Sequence, residues 1–208
     1  MLSRLLARRG VTLVALLSLV AAEPATREAP LQPGDLVRVT VNQLAGPNVP
    51  SDFLERVDAD GWIALPLVGK LKVGKLSPAE AARAVDKIYH EMQLIGAANA
   101  RIEHVQLNTK PPAPGPFAAG DFAHVQMWDL EGPGIETRLI KEVSADGKLD
   151  LPHGVSVKLA GLSDSDAEVA VAKAYHDAEL INKLQVCVLR ISAEEAKALD
   201  EQHKARAK

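Results

Sequence analysis

The stretch whose spacing comes nearest to phosphate chemistry is Gly69-Lys-Leu-Lys-Val-Gly74-Lys75. A nucleotide-binding loop needs Ser or Thr directly after that last lysine to hold magnesium, and Leu76 stands there instead. Ser77 comes one residue late, where helix capping accounts for it. His90-Glu91 starts like a zinc-binding helix, but Leu94 occupies the place of the second His. Cys187 is the single cysteine and sits among Val186, Val188 and Leu189, a setting that predicts a buried strand thiol and not a nucleophile. No Gly-x-Ser-x-Gly elbow occurs. Asp35 and Asp121 follow glycine at strand starts, while Asp60 and Asp146 precede glycine in hairpin turns, so turn and cap roles account for all four. This chemistry points to no catalytic residue, metal or cofactor, and the expectation is a protein that is not an enzyme.

The elements that carry these residues occur twice. Gly34-Asp35 returns as Gly120-Asp121, Asp60-Gly61 as Asp146-Gly147, and Leu65-Pro66 as Leu151-Pro152. Leu76-Ser77 returns as Leu162-Ser163 and Tyr89-His90 as Tyr175-His176, every time 86 residues on. A constant offset without gaps implies one fold used twice. Within a copy, 36–41 alternates as a half-buried strand, and Asp60-Gly61 joins two short strands as a hairpin. Ser77-Pro-Ala-Glu80 starts a helix with a capping box, and the apolar stripe expected on it is Ala81, Ala84, Val85, Ile88 and Met92. The corresponding stripe in the second copy is Ala167, Ala170, Val171, Ala174 and Ala178. Tyr89 and Tyr175 are expected at the helix rim, with His90 and His176 beside them either hydrogen-bonded or solvated. The order strand, hairpin, strand, helix, strand gives an α+β fold: two tandem small domains, each a mixed β-sheet with a hairpin covered by one α-helix.

The rest of the chain frames these copies. Arg4, Arg8 and Arg9 precede an apolar run ending in Val20-Ala21-Ala22, which reads as a cleaved signal peptide over 1–22. Residues 23–30 form a lead-in, 31–107 the first copy, 108–116 a Pro-rich linker, 117–192 a degenerate second copy and 193–208 a polar C-terminal tail. Loss of the signal takes the formal net charge from −3 to −6, and the chain holds only two Trp, two Tyr and three Phe. Both features argue against nucleic acid as a partner. Trp62 and Trp128 are the large aromatic surfaces that could meet a glycan.

Three ordered stretches of the first copy closely resemble a known family. They are Leu31-Gln-Pro-Gly-Asp-Leu-Val-Arg-Val39, Val57-Asp-Ala-Asp-Gly-Trp-Ile-Ala-Leu-Pro-Leu-Val-Gly69 and Val73-Gly-Lys-Leu-Ser-Pro-Ala-Glu-Ala81. Together they resemble the polysaccharide export domain of outer-membrane polysaccharide exporters of the Wza type. The resemblance implies a periplasmic ring through which capsule or exopolysaccharide passes, a homo-oligomer working with an inner-membrane export or synthesis complex. It places the signature loop Asp60, Gly61, Pro66, Leu67, Val68 and Gly69 near the lumen or a subunit contact. A plain hairpin-shaping role for the same residues stands beside that reading. The second copy departs from the pattern after Pro152, where His153-Gly154-Val155 replaces Leu67-Val68-Gly69. No cysteine follows the signal to take a lipid anchor, and Leu199 is the only large apolar residue of the tail, too few for a membrane span. The protein is therefore expected in the periplasm or secreted, peripheral at most to the outer membrane. A periplasmic or secreted module that binds or senses glycan without moving it is the alternative.

Overall fold

Val37, Val39 and Val41 are fully buried at alternate positions of strand β1 (Leu36–Asn42), as a period of two requires. The computed structural model that shows this describes residues 29–206 except 45, 47, 48 and 183, so the expected signal peptide lies outside the described residues. β1 pairs antiparallel with β2 (Pro50–Arg56) on one side and β5 (Arg101–His104) on the other. Between those strands run the hairpin β3 (Trp62–Leu65) and β4 (Gly69–Lys72), then helix α1 (Pro78–Glu91). Ser77 and Glu80 cap α1 reciprocally, with Glu80 N–H donating to Ser77 Oγ and Ser77 N–H to Glu80 Oε2. Such a cap contributes about 1 kcal/mol.

The second unit repeats this order. β6 (Phe122–Trp128) lies between β10 (Gln185–Ile191) and β7 (Glu136–Glu142). β8 (Lys148–Asp150), a 3-10 turn at Pro152–Gly154 and β9 (Ser156–Lys158) form its hairpin, followed by α2 (Asp164–Asp177). β6, β7, β8 and α2 each begin 86 residues after β1, β2, β3 and α1. Individual hydrogen bonds recur as well: Leu31 N–H to Leu76 O and Phe117 N–H to Leu162 O are both 2.8 Å. The α+β architecture expected from the pattern is the one observed.

The helix stripes differ from expectation in two respects. Ala81, Val85 and Tyr89 face the core of the first unit, and Ala167, Val171 and Tyr175 face that of the second. Both tyrosines are 0% exposed, not at the rim. A phenol can lie in the core because its hydroxyl reaches a carbonyl: Tyr89 donates to Pro66 O at 2.8 Å and Tyr175 to Pro152 O at 3.1 Å. Burial, followed by Glu131, pushes the Tyr175 hydroxyl up to about 12, so it stays a donor at any ordinary pH. Met92 and Ala178 fall at the helix C-caps and are exposed, while His90 and His176 lie in solvent.

Two segments that read as appendages are fastened to the body. Helix α3 (Ala193–Arg206) buries Ala196 and Leu199 against Leu36, Leu54, Leu189 and Ile191. Ser192 and Glu195 cap it reciprocally, and Glu195 also takes both hydrogen bonds of Arg56 Nη2, at 2.8 and 2.9 Å. The Pro-rich linker is held by Arg190, which donates to Ala113 O and Pro116 O, and by Ser192 Oγ to Lys110 O.

The two units meet along the free edge of β2. Gln126, 1% exposed on β6, accepts from Leu54 N–H at 3.0 Å and donates to Asp52 O at 2.6 Å, as a peptide of a neighbouring strand would. Its amide also donates to Glu136 Oε1 at 2.7 Å. Phe53 meets the Trp128 ring edge to face, with centroids 6.2 Å apart. Gln126→Leu keeps the apolar contacts and strands two buried backbone groups, so it should cost about 2–4 kcal/mol. Urea unfolding measures this; a midpoint equal to that of the parent would contradict the role given to the amide.

Candidate functional site

Asp58 begins the hairpin by holding its own turn. Its Oδ1 accepts from Asp60 N–H at 3.0 Å and Trp62 N–H at 2.8 Å, while its carbonyl takes Gly61 N–H at 3.0 Å. Gly61 (φ 84) then presses on Gly74, so that a Cβ at 61 would lie 3.1 Å from the Gly74 Cα. The Gly61 carbonyl accepts from both Val73 and Gly74 N–H. Asp60 and Gly61 are thus the base of the hairpin, and their geometry is that of a tight turn.

Pro66, Leu67, Val68 and Gly69 form the other end. Leu65 pairs with Gly69, Val68 N–H donates to Leu65 O at 3.2 Å, and the buried Tyr89 hydroxyl pins Pro66 from beneath. Leu67 stands out from this tip, 56% exposed and left-handed at φ 65. That backbone region costs a non-glycine residue about 1–2 kcal/mol. The second unit repeats the conformation at His153 (φ 59) with a different side chain, whose Nε2 lies 3.1 Å from Glu131 Oε1. The backbone turn therefore belongs to the scaffold, and the exposed leucine is particular to the first unit.

The two tryptophans part company. Ile63 and Leu65 point from β3 into the core, which turns Trp62 and Ala64 to the opposite face, with Lys72 and Lys70 as their cross-strand partners. Trp62 is half-buried, and Lys72 Nζ lies 5.4 Å from its ring centroid, a cation–π contact. Lys70 lies 3.6 Å from Asp58, both exposed, a pair of small energetic weight. Trp128 is 1% exposed inside the joint, because β6 is buried on both faces there, and its ring offers no surface to a sugar. The tip and Trp62 thus share one hairpin, Asp60 and Gly61 serve as its base, and Trp128 is buried in the core of the first unit.

One feature had no signal in sequence. A cavity of about 850 Å³ opens between β7 and α3, lined by Phe122, Arg138, Ile140, Lys197 and His203 among others. Arg138 is committed there to Glu136 at 2.6 Å and faces His203 Nε2 at 3.2 Å. It exists because α3 docks, which no local pattern in 193–206 announces. Among the described residues none of the six histidines joins a set of three metal-ligand atoms.

With this geometry in place, comparison with known families becomes specific. Residues 23–100 match the family model of the polysaccharide biosynthesis/export proteins. The match takes in β1 to α1 and the whole β3–β4 hairpin, and it supports a role in polysaccharide export. No curated protein sequence matches the chain. Among the described residues no helix is long and apolar enough to cross a membrane.

The two hairpin glycines separate cleanly by environment. Gly69→Ala meets open space and bears only the cost of its left-handed backbone (φ 90), about 1 kcal/mol. Gly61→Ala adds a clash with the Gly74 backbone and should cost clearly more, about 2–3 kcal/mol. Thermal unfolding of the two variants tests this order, and equal losses would refute the turn-on-turn contact.

Proposed function

We propose that this protein is a periplasmic component of a polysaccharide export system, one that docks or conducts capsule or exopolysaccharide without bond chemistry. The observation that carries the reading is the export-family match over residues 23–100, centred on a hairpin with an exposed apolar tip. The second unit is a diverged copy of the same domain. The protein works as a homo-oligomer next to an inner-membrane export or synthesis complex, and the tip Pro66-Leu67-Val68-Gly69 faces the lumen or a neighbouring subunit. A secretory leader over 1–22 delivers it.

Leu67 allows this role to be separated from stability. Because φ 65 suits glycine, Leu67→Gly should leave stability unchanged or slightly raised while removing the exposed side chain. In a producing strain lacking the gene, the parent chain is expected to restore surface or secreted polysaccharide and Leu67→Gly to restore clearly less. Unchanged polysaccharide on deletion would end the export reading. Full complementation by Leu67→Gly would end only the role of the tip.

Trp62 with Lys72 favours a second reading, a module that binds or senses glycan without moving it. An isolated monomer whose tryptophan fluorescence shifts on adding oligosaccharide, with the shift lost in Trp62→Leu, would support the module. A ring by light scattering without measurable sugar affinity would support the exporter.

A further inference from the structure

Glu55 and Glu168 come from different units and meet at the joint. Glu55 lies on β2 and Glu168 on α2; one oxygen of each and Cys187 Sγ, from β10, lie within 4.8 Å of one another. Their hydrogen bonds are to backbone: Ala64 N–H reaches Glu55 Oε2 at 3.4 Å and Val188 N–H reaches Glu168 Oε1 at 3.2 Å. Asp164, one helical turn before Glu168, takes Arg190 N–H at 3.2 Å. Both nearby guanidiniums are engaged elsewhere. Arg56 bonds to Glu195 and Gly34 O, and Arg190 bonds to Asp121, Pro116 O and Ala113 O.

We propose that Glu55 and Glu168 form a proton-holding joint between the two units, closed while the pair carries protons and loosened as it ionises. A buried and a half-buried carboxylate at this separation, with no cation directed at them, cannot both be charged without strong repulsion. The groups that face the pair are Tyr89 on α1, Asp164 on α2 and Cys187 on β10; Arg56 on β2, Arg190 on β10 and Asp121 act on Asp164, and Glu136 on β7 acts on Cys187. Burial first, then Glu168 and Asp164, hold the Glu55 carboxyl well above its ordinary range. Burial chiefly raises Glu168 to about 8 and Asp164 to about 6.

The sign follows from these directions. Carboxyls raised in the folded chain hold protons that the unfolded or opened chain releases, so closure is favoured at low pH. That advantage is lost as pH climbs from the ordinary carboxylate value of 4.5 through about 8. His124, lowered by burial to about 3, works in the opposite sense, but only below its ordinary 6.5. Above that value the carboxyl pair governs.

Cys187, buried at the joint and the only cysteine, reports opening directly. The experiment is labelling of the intact mature protein by an aromatic disulfide from about pH 6.5 to about pH 8.5, with EDTA present. Thiolate formation alone raises the rate about tenfold per pH unit, and release of one joint proton multiplies this by up to about tenfold again. Opening near pH 7 releases a proton from each of the two acids, so the parent should rise by well above about 100-fold per unit, with unchanged far-UV circular dichroism. Glu168→Gln keeps an acceptor for Val188 N–H and removes one of the two releasable protons, so the rise should fall to about 100-fold per unit; Glu55→Gln, with the same expectation, is the second variant should the first not fold. A tenfold slope in the parent would overturn the proposal. So would loss of helix signal in step with labelling, or zinc-dependent protection that EDTA removes, which would put a bound cation in place of the proton.

Discussion

Strand β2 closes one side of its sheet, yet its outward N–H and C=O groups are buried against the second unit. A buried strand edge without partners costs more than its packing returns, and here a single side-chain amide, Gln126, supplies both the donor and the acceptor. Much of the joint follows from that solution. With the edge satisfied, Phe53 can reach Trp128, Arg56 can reach Glu195, and Leu54 can join the cluster that α3 covers. The tandem chain is thereby one packed body whose halves share hydrogen bonds, aromatic contacts and a capped helix.

The repeated order of elements accounts for the two units but not for the way they join. The counterparts of Gln126 and Trp128 in the first unit are Thr40 and Asn42; those of Glu168 and Cys187 are Ala82 and Arg101. Thr40 is too short to bridge a strand edge and instead bonds to Asp52 within its own sheet at 2.6 Å. Arg101 would place a cation where the second unit buries a thiol. The joint is therefore built from residues that one copy has and the other lacks, and the same surface of the first unit is polar. Divergence between the copies fell on contact faces and hairpin tips, while hydrogen bonds that define the turns were kept.

The hairpin shows the same division at smaller scale. Its base is constrained by Asp58, Gly61 and Gly74, with Ser144, Gly147 and Ala160 at the same places in the second unit, and its tip is held by the tyrosine hydroxyl in both. The exposed positions carry the differences: Leu67 against His153, Trp62 against Lys148.

Beyond the 86-residue repeat, what the sequence by itself determined was local: the helix caps at Ser77 and Ser163, the Asp-Gly turns and the alternation of β1. Each depends on residues a few positions apart, whose backbone preferences act whatever surrounds them. Tertiary structure decided the rest. Tyr89 and Tyr175 enter the core because a carbonyl 23 residues away accepts their hydroxyls. Trp128 is buried because a second unit covers it, and the charged helix α3 docks on two small apolar contacts that periodicity alone undervalues. Nothing in the spacing of the sequence pairs Glu55 with Glu168. Only folding brings them together, where burial and mutual repulsion change what they do.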